Sequence, residues 1–214
     1  MPLQLIPANE YRRERWRNGQ GWTREIATGR MPGTPESCPW DWRLSIAEIE
    51  HDGPFSAFPG CDRVLVLLTG NGMQLDFADG IQAELSPPHG RIAFAGEQSL
   101  ECRLLDGPTT DFNAIVQRER CTMQVFHRPL VGSMVFFAEA GVLWAIHLMG
   151  GRATVKSSDA AVSFNAGDTV LLDNVAGDAA TRSILDGGGD VLLVKVQRNG
   201  PTDQAEMVFP MRKD

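Results

Sequence analysis

The residues able to do chemistry in this chain are arginines, hydroxyls and carboxylates set at alternating positions. In WRLSIAEIE, Trp42–Glu50, the positions Arg43, Ser45, Ala47 and Ile49 share one face of an extended strand, and Leu44, Ile46 and Glu48 share the other. In WTREIAT, Trp22–Thr28, Thr23 and Glu25 point one way and Trp22, Arg24 and Ile26 the other. Ser56, Phe58 and Arg63 lie in GPFSAFPGCDR, which leads into the continuous apolar run Val64–Leu68, a strand expected to be buried on both sides. A guanidinium is planar and donates two parallel hydrogen bonds to a carboxylate, a charge-assisted contact contributing about 1.5–3 kcal/mol. Two arginines with hydroxyls on neighbouring strands therefore suit a small carboxylate. Asn18, with Gly19 and Gly21 in NGQG, is a turn signal whose amides can meet an anion.

A structural role competes with each of these. Arg43 or Arg63 can pair with Glu25, Glu48 or Asp62 and only brace the framework. Asp62, next to Arg63 on an extended segment, faces the opposite way and takes a bracing role. Trp16, Trp22, Trp40 and Trp42 read as core or rim packing. DGPTTDFN, Asp106–Asn113, reads as a turn held by its Asp and Asn side chains.

Other chemistries find less support. The histidines are His51, His89, His127 and His147, with no HxH or HxxxH pair, and His147 sits in an apolar strand as a hydrogen-bonded core imidazole. A catalytic metal normally takes three protein ligands, so neither metal nor cofactor is expected. Cys38, Cys61, Cys102 and Cys121 are far apart, with no CxxC, and suggest neither a zinc site nor a disulfide framework. Ser56 has no neighbouring His to activate it as a nucleophile.

The elements that must position these groups are strands. In 214 residues there are 22 glycines and 13 prolines among short apolar runs, which favours strands joined by turns. Further strands are expected at Met73–Phe77, Arg91–Ala95, Leu100–Leu105, Cys121–Phe126, Val142–Leu148, Ala153–Lys156, Thr169–Leu172, Thr181–Leu185 and Val191–Gln197. Only Thr110–Arg120 and NEYRRER look able to form helical turns. The net charge of −7 offers no basic stripe for nucleic acid, and no run reaches membrane-spanning length. The polar N-terminus lacks the apolar core of a signal peptide, so a cytoplasmic setting is expected.

The two halves also echo each other. LVLLTGNGMQL, Leu65–Leu75, lies over AIHLMGGRATV, Ala145–Val155, with Gly70 on Gly150, and about twenty residues on Gly90 falls over Gly167. Each half then has a strand ending in Gly, a second strand, and a Gly turn into a third.

This paired pattern resembles the cupin superfamily, specifically a bicupin. In the first cupin motif's His-x-His, Glu, Gly spacing stand Ser56, Phe58, Arg63 and Gly70. FNAGDTVLL, Phe164–Leu172, resembles the Gly turn of the second motif. WRNGQGWTREI, WDWRLSIAEIEHDGPFSAFPGCDR and LLDGPTTDFNAIVQR together resemble the HutD/Ves family, with Gln20 where that family often has glycine. The resemblance implies an all-β bicupin of two packed, jelly-roll-like barrels, residues 1–125 with the ligand pocket and residues 126–214, joined near Val125–Ser133. It also implies that Arg63 takes the seat of a metal ligand and faces the interior. The expected function is metal-free binding, as a sensor, of an acidic metabolite of histidine breakdown such as formylglutamate or urocanate. Its expected site is Asn18, Thr23, Glu25, Arg43, Ser45, Ser56, Phe58 and Arg63. A metal-free enzyme using Glu25 and Arg63, and a homodimeric scaffold with a vestigial pocket, are the alternatives.

Overall fold

A computed structural model describes residues 3–158, 160–175 and 179–200. Residues 201–214, the end of the span assigned to the second barrel, lie outside the described residues. The chain is all-β. After β1 (Leu3–Ile6) and one 3-10 turn at Ala8–Glu10 come β2 (Arg12–Arg15), β3 (Gly21–Gly29), β4 (Trp42–Ile49), β5 (Gly53–Pro54), β6 (Cys61–Thr69), β7 (Met73–Phe77) and β8 (Gln82–Leu85). They are followed by β9 (Arg91–Ala95), β10 (Leu100–Leu104), β11 (Thr109–Gln117), β12 (Cys121–Ala138), β13 (Val142–Lys156), β14 (Ala161–Asn165), β15 (Thr169–Asn174) and β16 (Thr181–Arg198).

Three sheets stack through three clusters of apolar side chains. The first sheet runs β2-β3-β4-β11-β6-β9, and the second runs β5-β10-β7-β8. Ala47, Ile49, Leu65 and Leu67 of the first meet Met73, Leu75, Leu85, Leu100 and Cys102 of the second, forming one sandwich core. The third sheet, β1-β15-β13-β16-β12 with β14 on β13, has long strands that bend and enclose a core of their own, including Ile146, Leu148, Val155, Phe164 and Leu185. Between the two units, Leu44, Ile46, Val66, Phe112, Ala114 and Val116 pack on Leu143, Ala145, Leu192, Val194 and Val196. The first sheet is thus covered on both faces, which is why the run around Leu65–Leu67 shows no polar alternation.

The echo between halves is a repeat of pairing. β6 pairs with β9 and β11, and β7 pairs with β8 and β10. Correspondingly, the first part of β13 pairs with β15 and with the end of β16, and its second part with β14 and the start of β16. The segments expected as separate strands at Val142–Leu148 and Ala153–Lys156 are one strand, because a bulge at Leu148/Gly150 carries the ladder through the bend. The backbones there nearly touch: Gly151 has φ +89°, and a Cβ on it would lie 1.9 Å from the Gly188 carbonyl oxygen.

Two expectations are corrected. Thr110–Arg120 is not helical but forms β11, since Phe112, Ala114 and Val116 alternate toward the second unit while Asp111, Asn113 and Ile115 face into the first. NEYRRER makes only the 3-10 turn before becoming β2, a charged edge strand of the kind that discourages edge-to-edge pairing. The division at residues 125/126 is crossed twice by hydrogen-bonded pairs. Leu3–Ile6 join β15, and β12 pairs with β16 from Cys121 onward.

Candidate functional site

The inner face of the first sheet is polar where it meets the mouth of the first sandwich. Antiparallel register places Arg63, Ile115 and Arg43 in one row across β6, β11 and β4. The next row holds Leu65, Asn113, Ser45 and Glu25, and the third Leu67, Asp111, Ala47 and Thr23. From these rows Arg63, Arg43, Asn113, Ser45, Ala47 and Thr23 form the floor of a cavity of about 550 Å³. The loop after β5 supplies Phe55, Ser56 and Phe58, and the turn between β2 and β3 supplies Trp16 and Asn18.

Arg63 lies at the centre with 3 % of its surface exposed. Its Nη1 donates to the Ser56 carbonyl oxygen at 3.0 Å, and its Nε has no partner among the described residues. The guanidinium carbon stands 5.0 Å from the ring centroids of Phe58 and Phe94 and 5.7 Å from that of Phe55. Three aromatic faces hold it by cation–π attraction. Burial lowers its pKa to about 10, with Asp111 opposing the shift and Arg43 adding to it, so it is a cation at neutral pH.

Other charged groups around the mouth are paired with one another. Arg43 Nε donates to Glu25 Oε2 at 2.9 Å. Glu48 takes Arg13 and Arg24, and Asp62 takes Arg118. No carboxylate among the described residues stands within ion-pair distance of Arg63, although Asp111, fully buried two rows away, feels its charge.

Seven of the eight expected residues line the cavity: Asn18, Thr23, Arg43, Ser45, Ser56, Phe58 and Arg63. Glu25 does not line it and reaches the site through Arg43. Several act differently from the expectation. Ser56 meets Arg63 with its backbone carbonyl. Thr23 Oγ1 accepts a hydrogen bond from Trp16 Nε1 at 2.8 Å, which makes Trp16 a fixed wall of the cavity. Asn18 Oδ1 accepts from the Gln20 amide and its Nδ2 donates to Gln20 Oε1, while the Gly19 amide donates to the Trp16 carbonyl, so those two turn amides are already satisfied. Asn113 and Asp111, read from the sequence as turn formers, lie instead on β11 and face the first sandwich, where Asn113 lines the cavity. The signal for them was the alternation of Phe112, Ala114 and Val116, which puts their intervening partners on the other face.

Away from this cavity, His147 is 3 % exposed, bonds Thr169 Oγ1 through Nδ1 at 3.0 Å, and is lowered by burial to about 4, hence neutral. His89 and His127 stack with centroids 4.4 Å apart beside Arg91 and Arg128, lining a second hollow at the seam of the units, about 380 Å³. Among the described residues no three His, Cys, Asp or Glu side chains gather as a metal site.

The stacked sheets define a cupin-type fold. The structure is similar to a cupin 2 conserved barrel domain protein from Leptotrichia buccalis, with a TM-score of 0.58 at 8 % identity over 92 % of this chain and 96 % of that one, a likeness of fold alone. The HutD family model matches residues 8–193, and this chain belongs to the HutD family. It is 42 % identical over 126 residues to an uncharacterized 21.2 kDa protein in the hutC 3′ region of Pseudomonas putida, covering 58 % of this chain and 64 % of that one. It is 39 % identical over 111 residues to protein Ves of Cronobacter sakazakii, covering 51 % of this chain and 58 % of that one. The match therefore spans less than two thirds of either relative's length. HutD from Pseudomonas fluorescens SBW25 (formate condition) superposes with a TM-score of 0.78 at 29 % identity, over 93 % of this chain and all of that one. The family is linked in this way to the histidine-utilisation locus.

Proposed function

We propose that this protein binds a small carboxylate in the first sandwich, without a metal, and that occupancy of the cavity is its regulatory output. One observation carries the reading. Arg63 is a buried cation that lines the cavity, and no carboxylate among the described residues pairs with it, while Arg43, beside it, is paired. A buried guanidinium with no carboxylate in contact is costly, and an acid docking on it supplies that contact. Phe58 and Trp16 offer apolar walls for a short carbon skeleton, and Ser45 and Asn113 lie on the floor for its polar atoms. The hut-locus link of the family favours an intermediate of histidine breakdown, of the formylglutamate or urocanate class. A cytoplasmic setting belongs to this reading, since four free cysteines, three of them buried, suit a reducing compartment. No helix among the described residues is long and apolar enough to cross a membrane.

Calorimetry with formylglutamate and urocanate on the wild type and on Arg63→Ala tests the proposal. Binding by the wild type and loss of at least about tenfold in affinity in a folded variant is expected, the loss of one charge-assisted contact. Equal affinity in both proteins defeats the role given to Arg63. Turnover of either compound, abolished in Glu25→Gln, replaces binding by catalysis. Neither binding nor turnover leaves a scaffold.

A further inference from the structure

β11 puts three polar side chains, Thr109, Asp111 and Asn113, on the inner face of the first sandwich. All three are buried, and Thr109 Oγ1, Asn113 Oδ1 and both carboxylate oxygens of Asp111 lack hydrogen-bond partners among the described residues. Asp111 is the one that can hold charge. Across the ladder it faces Ala47 on β4 and Leu67 on β6, neither of which can donate to it. The groups of neighbouring elements that act on it or feel it are Arg63 on β6 and the Cys102 thiol on β10, while Arg43 on β4 acts on Arg63. Cys102 is pushed up to about 12 and stays neutral, so Arg63 is the cation that permits Asp111 to ionise. Burial raises the Asp111 carboxyl and Arg63 pulls it back, to about 7.

Resting on the reading of the cavity as a carboxylate site, we propose that Asp111 is the resident counter-charge of Arg63 and that a ligand carboxylate displaces it from that role by binding together with one proton. The charges balance. In the empty protein the Asp111 anion, two rows from the Arg63 cation on the same face of the sheet, balances its charge without touching it. In the complex Arg63 faces one carboxylate of the ligand, a second carboxylate such as the probes carry stays at the solvated mouth beside the exposed Arg15 and Arg17, and Asp111 holds a proton drawn from solvent. The buried site is neutral before and after, as a poorly solvated interior requires. Two carboxylates sharing one guanidinium without that proton would leave a net buried negative charge. Asp111 thus sets specificity without touching the ligand. It favours acids under mildly acidic to neutral conditions and disfavours them as pH rises.

The test uses the whole 214-residue chain, with glutarate and formylglutamate as probes. Calorimetry at about pH 8 in two buffers of different ionisation enthalpy should give uptake approaching one proton per ligand. Affinity should be flat below about pH 7 and fall by up to tenfold per pH unit above it. In Asp111→Asn both effects should vanish while binding persists. Should that variant misfold, the two-buffer measurement on the wild type, with the infrared band of a newly protonated carboxyl as a second readout, still decides. Binding without proton uptake, or a pH dependence kept in Asp111→Asn, overturns the counter-charge role and leaves the carboxylate site standing. Failure of the wild type to bind either probe overturns the site, and the proton linkage falls with it.

Discussion

Arg63 and Arg43 stand in one row of the same sheet, yet their surroundings give them opposite energetics. Arg43 shares a largely buried ion pair with Glu25, in which the mutual attraction offsets the cost of desolvation. Arg63 is desolvated with one hydrogen bond. Arg63→Met, a flexible apolar replacement, should therefore be neutral or stabilising by about 1–4 kcal/mol in urea unfolding below about pH 7, where Asp111 needs no counter-ion. A marked loss of stability in that variant would mean that Arg63 serves the framework. Residue by residue, the arginines and hydroxyls were legible because strand alternation alone puts Arg43 with Ser45 and Thr23 with Glu25. Asp111 and Asn113 were not. Asp and Asn close to a Gly-Pro pair read as turn formers, and only pairing with strands 44 to 68 residues upstream buries them.

Among the elements, β11 explains most. Its outward residues bind the two units together, while inward Asn113 lines the site and Asp111 lies buried behind it, so one strand joins stability to function. Phe112 is fully buried between the units. Phe112→Ala should cost about 3–5 kcal/mol by chemical denaturation. A loss below about 1 kcal/mol would show that the units are only loosely packed there. The crossing of β13 and β16 imposes a different constraint. Gly151 combines a left-handed backbone with a carbonyl where a Cβ would sit. Gly151→Ala should lose about 1–3 kcal/mol from conformation alone, and more from the clash. Unchanged stability would mean that the bulge relaxes freely. Strand positions were readable from alternation. That β13 and β16 run unbroken through their bends was not, because a bulge preserves a ladder only where a partner follows the same path.

At the scale of the whole molecule, two buried ionisable groups act in opposite directions on pH stability. His147 is lowered to about 4 from an ordinary 6.5, so the unfolded chain binds a proton that the folded one refuses. Alone, it makes stability fall as pH drops from about 6.5 to 4. Asp111 is raised to about 7 from an ordinary 3.8, so the folded chain holds the extra proton. Alone, it makes stability fall as pH rises from about 3.8 to 7. Over the shared window, about pH 4 to 6.5, the two slopes cancel. Thermal melts of Asp111→Asn should therefore gain stability with rising pH across that window, by up to about 1.4 kcal/mol per unit, where the wild type is nearly flat. Parallel curves for the two proteins would refute the assignment. The shared apolar layer, with β1 borrowed by the second unit, also predicts that residues 1–125 alone fold poorly. Cooperative unfolding of that fragment would contradict this.

The all-β class, the repeat of strand-Gly-strand, and the meeting of Arg43, Ser45, Thr23 and Arg63 at one polar patch are written in local order. Alternation sets which side chains share a face, and glycines mark where the chain must bend. Tertiary structure alone decided which carboxylates reach which arginines, leaving Arg63 unpaired and Asp111 sealed beneath it. Burial and charge pairing depend on strands distant in sequence, and electrostatic energy depends on how water is excluded, which no single segment controls.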